Sequence, residues 1–236
     1  MLHCPVVKRL VIAVDGPSGA GKGTVARAAA RALGYRHVDT GAMYRAVAWE
    51  AVRRHLRLDA HDEAGRLAAE ASIDMDEGRT RINGHDVTAE IRTPDIDQAA
   101  AVVARNPAVR DVLVNRQRII GREGGVVMEG RDIGTVVFPS AEVKIYLDAS
   151  PEERARRRAT DAAHTGGTPA DVAHVAEHLA ARDKSDSTRS VAPLAQAADA
   201  TYIDTTGMTV EDVVAQVLAL VRDKAGARGS GLGTRD

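Results

Sequence analysis

The sequence predicts an α/β fold, a mostly parallel sheet with helices on both faces. Three observations carry that expectation. Apolar runs without alternation recur, Leu10-Val11-Ile12-Ala13-Val14 first among them, as strands buried on both faces require. Helix-forming stretches separate these runs, beginning with Val25 to Leu33. Between the first strand and the first helix lies Asp15-Gly16-Pro17-Ser18-Gly19-Ala20-Gly21-Lys22-Gly23-Thr24, a glycine-rich loop in the strand–loop–helix context of a phosphate site.

The loop binds anions for physical reasons. Glycines let successive N–H groups turn inward, the helix N-terminus adds partial positive charge, and Lys22 supplies a point charge. The spacing from Gly16 to Gly21-Lys22 fits G-x-x-x-x-G-K, but Gly23 stands where Ser or Thr is usual and Thr24 follows one later. A nucleoside triphosphate, ATP, with Mg²⁺ on its phosphates is the expected ligand.

In chain order, Tyr35 to Asp39 reads as a second strand and Thr40 to about His55 as a helix capped by Asp39 or Thr40. From Leu58 to Thr93 the texture changes: Ser72 to Asp76 alternates, and Asn83-Gly84 is a turn signal, which predicts an inserted β-rich flap. Ile96 to Ala104 reads as helix, and Pro107 suits the first turn of another, Ala108 to Arg122. Val126-Val127-Met128 and Val143 to Leu147 are further strands. Ser150-Pro151-Glu152-Glu153 is a helix start, with Ser as N-cap and Glu at the third position. That helix is rich in arginine, and His164 to Pro169 forms a flexible tip before a second helix from Ala170 to Asp183. Thr201 to Asp204 is the last strand, Val210 to Lys224 the last helix, and the Gly-rich tail is expected to be disordered. Ligands of such a sheet sit at the carboxyl ends of its strands, so the phosphate loop, Asp39-Thr40 and Arg131-Asp132 can form one site.

Composition narrows the field. The chain has 236 residues, enough for one large α/β domain or two small ones, and only 3% aromatics, so its core must be aliphatic. A formal net charge of −1 provides no global field for a nucleic-acid backbone. Cys4 is the only cysteine, so no disulfide forms within the chain, and no run approaches a membrane span. A soluble, cytoplasmic protein is the expectation. The eight histidines show no metal spacing; His174 and His178 lie i,i+4 without an H-E-x-x-H pattern.

The arginines carry the rest. Arg45, Arg110, Arg131, Arg157, Arg158, Arg182 and Arg189 fall near strand ends, helix ends or the flexible tip. Transfer of a phosphoryl group needs several guanidinium groups, since charge develops on all its equatorial oxygens. Arg131, after a buried strand and beside Gly130 and Gly134, is the strongest candidate. In Arg182-Asp183-Lys184-Ser185-Asp186-Ser187-Thr188-Arg189, the first, fifth and eighth residues share one helical face; an i,i+4 ion-pair ladder and a binding face explain that spacing equally.

Together these residues resemble the bacterial cytidylate kinase family, within the nucleoside monophosphate kinases. The loop Gly16 to Thr24 resembles its G-P-S-G-A-G-K-G-T, and Asp39-Thr40-Gly41-Ala42-Met43-Tyr44-Arg45 its D-[ST]-G-x-x-Y-R. Glu90-Ile91-Arg92, Gly130-Arg131-Asp132-Ile133-Gly134-Thr135 and Arg182-Asp183-x-x-Asp186-x-x-Arg189 follow in order. The resemblance spans roughly Val11 to Val221. It implies a three-layer fold with a five-stranded parallel sheet, a core of 9–59, 105–149 and 190–225, a β-rich acceptor-binding insert of 60–104, a helical lid of 150–189 and a tail of 226–236. The implied reaction is ATP plus CMP or dCMP giving ADP plus CDP or dCDP, by a monomer.

By the same resemblance, Gly16, Pro17, Ser18, Gly19, Ala20, Gly21, Lys22, Gly23 and Thr24 hold ATP, and Arg157 and Arg158 reach the transferring group. Thr40, Tyr44, Arg45 and Arg131 hold the acceptor phosphate, with Lys22, Arg131, Arg157 and Arg158 as the catalytic set. Arg110 and Asp132 face the cytosine, whose amine a carboxylate accepts and whose uracil counterpart it rejects. Arg182, Asp186 and Arg189 take sugar and phosphate. No protein ligand for Mg²⁺ is implied. One residue departs from the pattern: Ala101 stands where the family often carries Ser against the base, a loss of about 1 kcal/mol for one hydrogen bond. A kinase for UMP or shikimate and a non-catalytic nucleotide switch are the rival readings.

Overall fold

The computed structural model describes residues 9–59, 61–76, 78–161 and 171–229. The expected tip at His164 to Pro169, Cys4 and the last residues of the tail lie outside them. Strand β1 (Val11–Asp15) is central in a five-stranded sheet with β2 (Arg36–Asp39), β6 (Val126–Glu129), β7 (Val143–Asp148) and β8 (Thr201–Asp204), in the order β2-β6-β1-β7-β8. Every pairing is parallel. Register aligns the strand ends: Val14 and Asp39 both pair with Glu129, and Asp15 pairs with Tyr146, so the loops after β1, β2 and β6 open on one edge.

Helices α1 (Lys22–Leu33) and α8 (Val210–Gly229) cover one face, sealing Ile12, Val14, Ile145 and Leu147 against Val25, Ala29 and Val217. The other face packs through Ala13, Val38 and Met128 on Val114 of α5 (Pro107–Gly121) and on Ile133 and Val137. The core is aliphatic, as the composition required. Its small alanines bring α1 close to the sheet. Among described helices none is long and apolar enough to cross a membrane.

Caps follow the sequence signals. Asp39 accepts from Ala42 N at 3.0 Å at the start of α2 (Thr40–Arg53), and Ser150 accepts from Glu153 N at 3.2 Å at the start of α6 (Pro151–Thr160). Asn106 caps α5 ahead of Pro107. The last helix differs: it runs on to Gly229 instead of ending near Lys224, because Ala225, Ala227 and Arg228 favour helix and Gly226 costs only about 1 kcal/mol there.

The segment between α2 and α5 forms a small sheet of its own. Its antiparallel sheet, β3 (Ile73–Asp76), β4 (Arg79–Ile82) and β5 (His85–Asp86), is flanked by helices α3 (His61–Glu70) and α4 (Pro94–Val103). Asn83 and Gly84, with φ of 50° and 81°, make the expected tight turn. The apolar side of this segment has no core of its own. Ile82, Val87, Ile96 and Ala99 pack on Met43, Ala46 and Val47 of α2 and on Val109 and Leu113 of α5, so the 60–104 boundary cuts through one hydrophobic cluster.

Glu50 of α2 pins that turn. Fully buried, it accepts from Arg53 Nε and Nη2 at 2.7 and 2.8 Å, from Arg54 Nε at 2.7 Å and from Asn83 Nδ2 at 3.1 Å. The Arg53 hydrogen bonds lead in holding its carboxyl at about 2, against its burial. Its folded pKa lies below its unfolded value, so it contributes stability above the unfolded pKa that is lost as pH falls toward 2. Glu50→Gln is expected to lower stability at pH 7 on the order of 2 kcal/mol, and that difference shrinks in urea melts as the pH falls below about 4. A difference that holds at pH 3 would show that the carboxylate charge is irrelevant.

Candidate active site

The loop between β1 and α1 turns on Gly16, whose φ is 145°; a Cβ there would lie 1.9 Å from the Leu147 carbonyl oxygen. Lys22, nearly buried at the first position of α1, folds back to donate to the Pro17 carbonyl at 2.7 Å. Burial, reinforced by the Arg131 guanidinium, lowers its ammonium to about 7. Gly16 and Pro17 therefore build the loop, while Ser18, Gly19, Ala20, Gly21, Lys22, Gly23 and Thr24 line a cleft of about 860 Å³.

That same cleft is lined by Thr40, Tyr44, Arg45, Ala101, Arg110, Arg131, Asp132, Arg157, Arg158, Arg182, Asp186 and Arg189. Every residue singled out beyond the loop thus reaches one cavity, from six different segments. Thr40 donates to the Glu129 carbonyl at 2.7 Å, and Arg45 Nη2 bonds Asp39 at 2.9 Å, holding that carboxyl at about 2 despite its burial. Burial raises the Tyr44 phenol to about 12 and keeps it neutral.

Arg131 and Asp132 sit where the chain leaves β6 for a π-helical turn, Ile133–Val137. Asp15 at the end of β1 anchors this turn, accepting from Ile133 N at 2.8 Å and Gly134 N at 2.7 Å. Its burial lifts its carboxyl to about 6, and those two N–H bonds oppose the rise. Asp132 is paired with Arg110 and lies 3.4 Å from Arg189 Nη2, a charge cluster that α5 and the lid reach from opposite sides.

Helix α6 is followed by α7 (Val172–Thr188), the pair on which a lid is expected. Helix α7 extends past Asp183 to Thr188, so Arg182 and Asp186 share a helical face and Arg189 is its C-cap. They do not bond one another as a ladder. Asp186 accepts from Arg131 Nε at 2.9 Å, Arg182 pairs with Asp97 at 3.0 Å, and Arg189 reaches Asp132. Arg157 and Arg158, adjacent in sequence, are separated by the helix rotation of about 100°. Arg157 turns to the end of β8, bonding the Thr205 carbonyl at 2.7 Å and hydroxyl at 2.8 Å, whereas Arg158 reaches Asp97 at 2.6 Å. Both still line the one cleft.

Further residues gather at or beside the cleft, some of them without any sequence signal. Glu129 ends β6 beside the loop; a Cβ on Gly23 would lie 3.1 Å from its Oε1, and His37 Nε2 holds that oxygen at 2.9 Å. A carboxylate closing a fully buried strand was the signal for it. Arg92, in the 3-10 turn of Glu90–Arg92, lines the cleft, as do Thr205, Met208 and Val210 after the last strand. Asp183 ties the lid to the loop, pairing with Arg154 and accepting from Ser18 N at 3.3 Å. Among the described residues no three His, Cys, Asp or Glu side chains converge on a metal position.

A phosphate loop at the central strand of a parallel sheet, opposed across one cleft by buried arginines, defines a phosphate-loop protein able to hold two anionic groups face to face. A family model described as cytidylate kinase matches residues 12–223. A cytidylate kinase from Pelotomaculum thermopropionicum is 51% identical over 215 residues, covering 89% of this chain and 95% of that one. Another, from Solibacter usitatus, is 46% identical over 218 residues, with 92% and 94% covered. The chain belongs to the cytidylate kinase family. A crystal structure of an uncharacterized protein from Eubacterium ventriosum aligns with a TM-score of 0.51 at 12% identity, over 91% of this chain and 99% of that one, a likeness of fold alone.

Proposed function

We propose that the chain transfers the γ-phosphoryl group of ATP directly to the phosphate of CMP or dCMP. The observation that carries this is the single cleft in which the phosphate loop and Lys22 face Arg45, Arg131, Arg158 and Arg182. The loop N–H groups and Lys22 hold the donor phosphates. Arg157, anchored on Thr205 beside Gly21, belongs to the donor side. Thr40, Tyr44, Arg45 and Arg131 hold the acceptor phosphate, and Arg158 reaches the transferring group. Arg110 and Asp132 face the base, and Arg182, Asp186 and Arg189 take sugar and phosphate. The acceptor phosphate attacks in line, so the chain positions and neutralises without a covalent nucleophile.

Mg²⁺ fits the donor set. The Glu129 carboxylate lies beside Gly23, where a Cβ would come within 3.1 Å of Oε1, and Thr24 is next in the loop, so two oxygen-bearing side chains could hold the ion. Mg²⁺ held on the ATP phosphates would supply neutralisation of the charge that develops during transfer. The resemblance further implies a monomer, and the single cysteine suits a reducing compartment.

The test is ADP release with ATP over a panel of CMP, dCMP, UMP, AMP and shikimate. CMP and dCMP are expected to stimulate release. Slow hydrolysis indifferent to every acceptor would favour a nucleotide switch instead. Ala101 lines the cleft as a methyl where a hydroxyl could reach the base. Ala101→Ser is therefore expected to raise the CMP-to-UMP ratio of kcat/KM by about fivefold, the worth of one hydrogen bond; an unchanged ratio would remove position 101 from base selection.

A further inference from the structure

Asp97 lies on α4, in the inserted segment, and no sequence motif marks it. One carboxylate oxygen meets Arg158 Nη2 at 2.6 Å and the other meets Arg182 Nη1 at 3.0 Å. Arg158 belongs to α6 and Arg182 to α7. A single carboxylate thereby ties both lid helices to the insert, and all three side chains are less than one-fifth exposed.

The arginines need that charge. Burial lowers Arg158 to about 10, Arg182 and Arg45 push it the same way, and Asp97 opposes them. A guanidinium on a long stem also carries rotamer freedom that must be removed before it can meet a substrate in one geometry. Arg158 donates a hydrogen bond to Asp97 and Arg182 forms an ion pair with it, each through one terminal nitrogen, which leaves the other N–H groups of each fork for phosphoryl oxygens, and both line the cleft.

We propose that Asp97 is a positioning residue for phosphoryl transfer, holding Arg158 and Arg182 toward the cleft from the insert and making closure of lid and insert a single event. This rests on the kinase reading above. Asp97 touches no substrate in this scheme. It acts by ordering two guanidinium groups beforehand, so that less ordering is left for the transfer step.

Steady-state kinetics with ATP and CMP test it on wild type, Asp97→Asn, Asp97→Glu and an Arg158→Met/Arg182→Met background, all below their melting temperatures. Asp97→Asn keeps shape and removes charge; kcat is expected to fall about 10- to 100-fold, as for a misplaced catalytic group, while the KM for ATP changes little. Asp97→Glu recovers part of the loss. On the arginine-less background Asp97→Asn adds less than about twofold, because residues acting as a unit are not additive. Wild-type kcat in Asp97→Asn, or its full loss repeated on that background, would overturn the proposal. Amide hydrogen exchange supplies a readout that needs no acceptor: in Asp97→Asn, exchange across 151–160 and 172–188 rises while that of α1 does not. Unchanged lid exchange likewise overturns the proposal, whereas a wild type unresponsive to CMP overturns the kinase reading.

Discussion

Lys22→Ala removes transfer while leaving the fold intact: turnover with ATP and CMP drops about 10²- to 10³-fold, the cost of losing one preorganised charge at a developing anion. The fold survives because, among the described residues, Nζ bonds only the Pro17 carbonyl, and the loop's turns are set by glycine geometry. Burial lowers Lys22 to about 7, so the sign of its pH effect follows. Above pH 7 the unfolded chain carries a proton here that the folded chain does not, so this group adds stability as pH rises from about 7 to 10. Phosphates brought against the ammonium favour its charged form. ATP binding at pH 8 is therefore expected to take up protons, read from calorimetry in two buffers of different ionisation enthalpy. Lys22→Ala abolishes that uptake. Near wild-type turnover in the variant would sink the assignment, and proton-neutral binding by the wild type would dismiss the titration.

Asp132→Ala is expected to cost more than a base contact. The carboxylate sits between Arg110 and Arg189, which are 2% and 6% exposed, so its removal leaves two buried cations facing each other. Breaking a buried pair this way costs about 3–5 kcal/mol of stability. CMP affinity falls at least tenfold while ATP affinity changes little, since Asp132 lies across the cleft from the loop. Arg110→Met/Asp132→Leu separates the two effects: replacing a buried pair by apolar groups restores most of the stability, yet CMP binding stays weak. Calorimetry that finds CMP affinity intact in Asp132→Ala would take Asp132 out of the base site; a melt unchanged from wild type would show the charge cluster to be without structural weight.

Much of the architecture was legible because the signals are local. The buried apolar run, the glycine-rich loop and the Ser150-Pro151 and Asn106-Pro107 helix starts each depend on a few neighbouring residues, and all form as read. In the inserted segment Asn83-Gly84 and the alternation of Ser72 to Asp76 are local signals that form a turn and strands, whereas nothing local reveals that its apolar face is completed by α2 and α5. Glu129 and Asp97 escaped notice for a related reason: a single carboxylate has no periodicity, and its meaning lies in what stands across from it.

The residues themselves determined that the chain is an α/β protein with a phosphate loop, and that Lys22, Arg131 and the run from Arg182 to Arg189 were the side chains to watch. These follow from spacing along one segment, where backbone geometry alone fixes which groups can point together. Tertiary structure decided the pairing. Arg157 parts from Arg158, and Arg182, Asp186 and Arg189 answer Asp97, Arg131 and Asp132 instead of one another. Ion pairing is non-local: a guanidinium takes the carboxylate that folding brings within about 3 Å, and only the packing of lid, insert and sheet says which one that is.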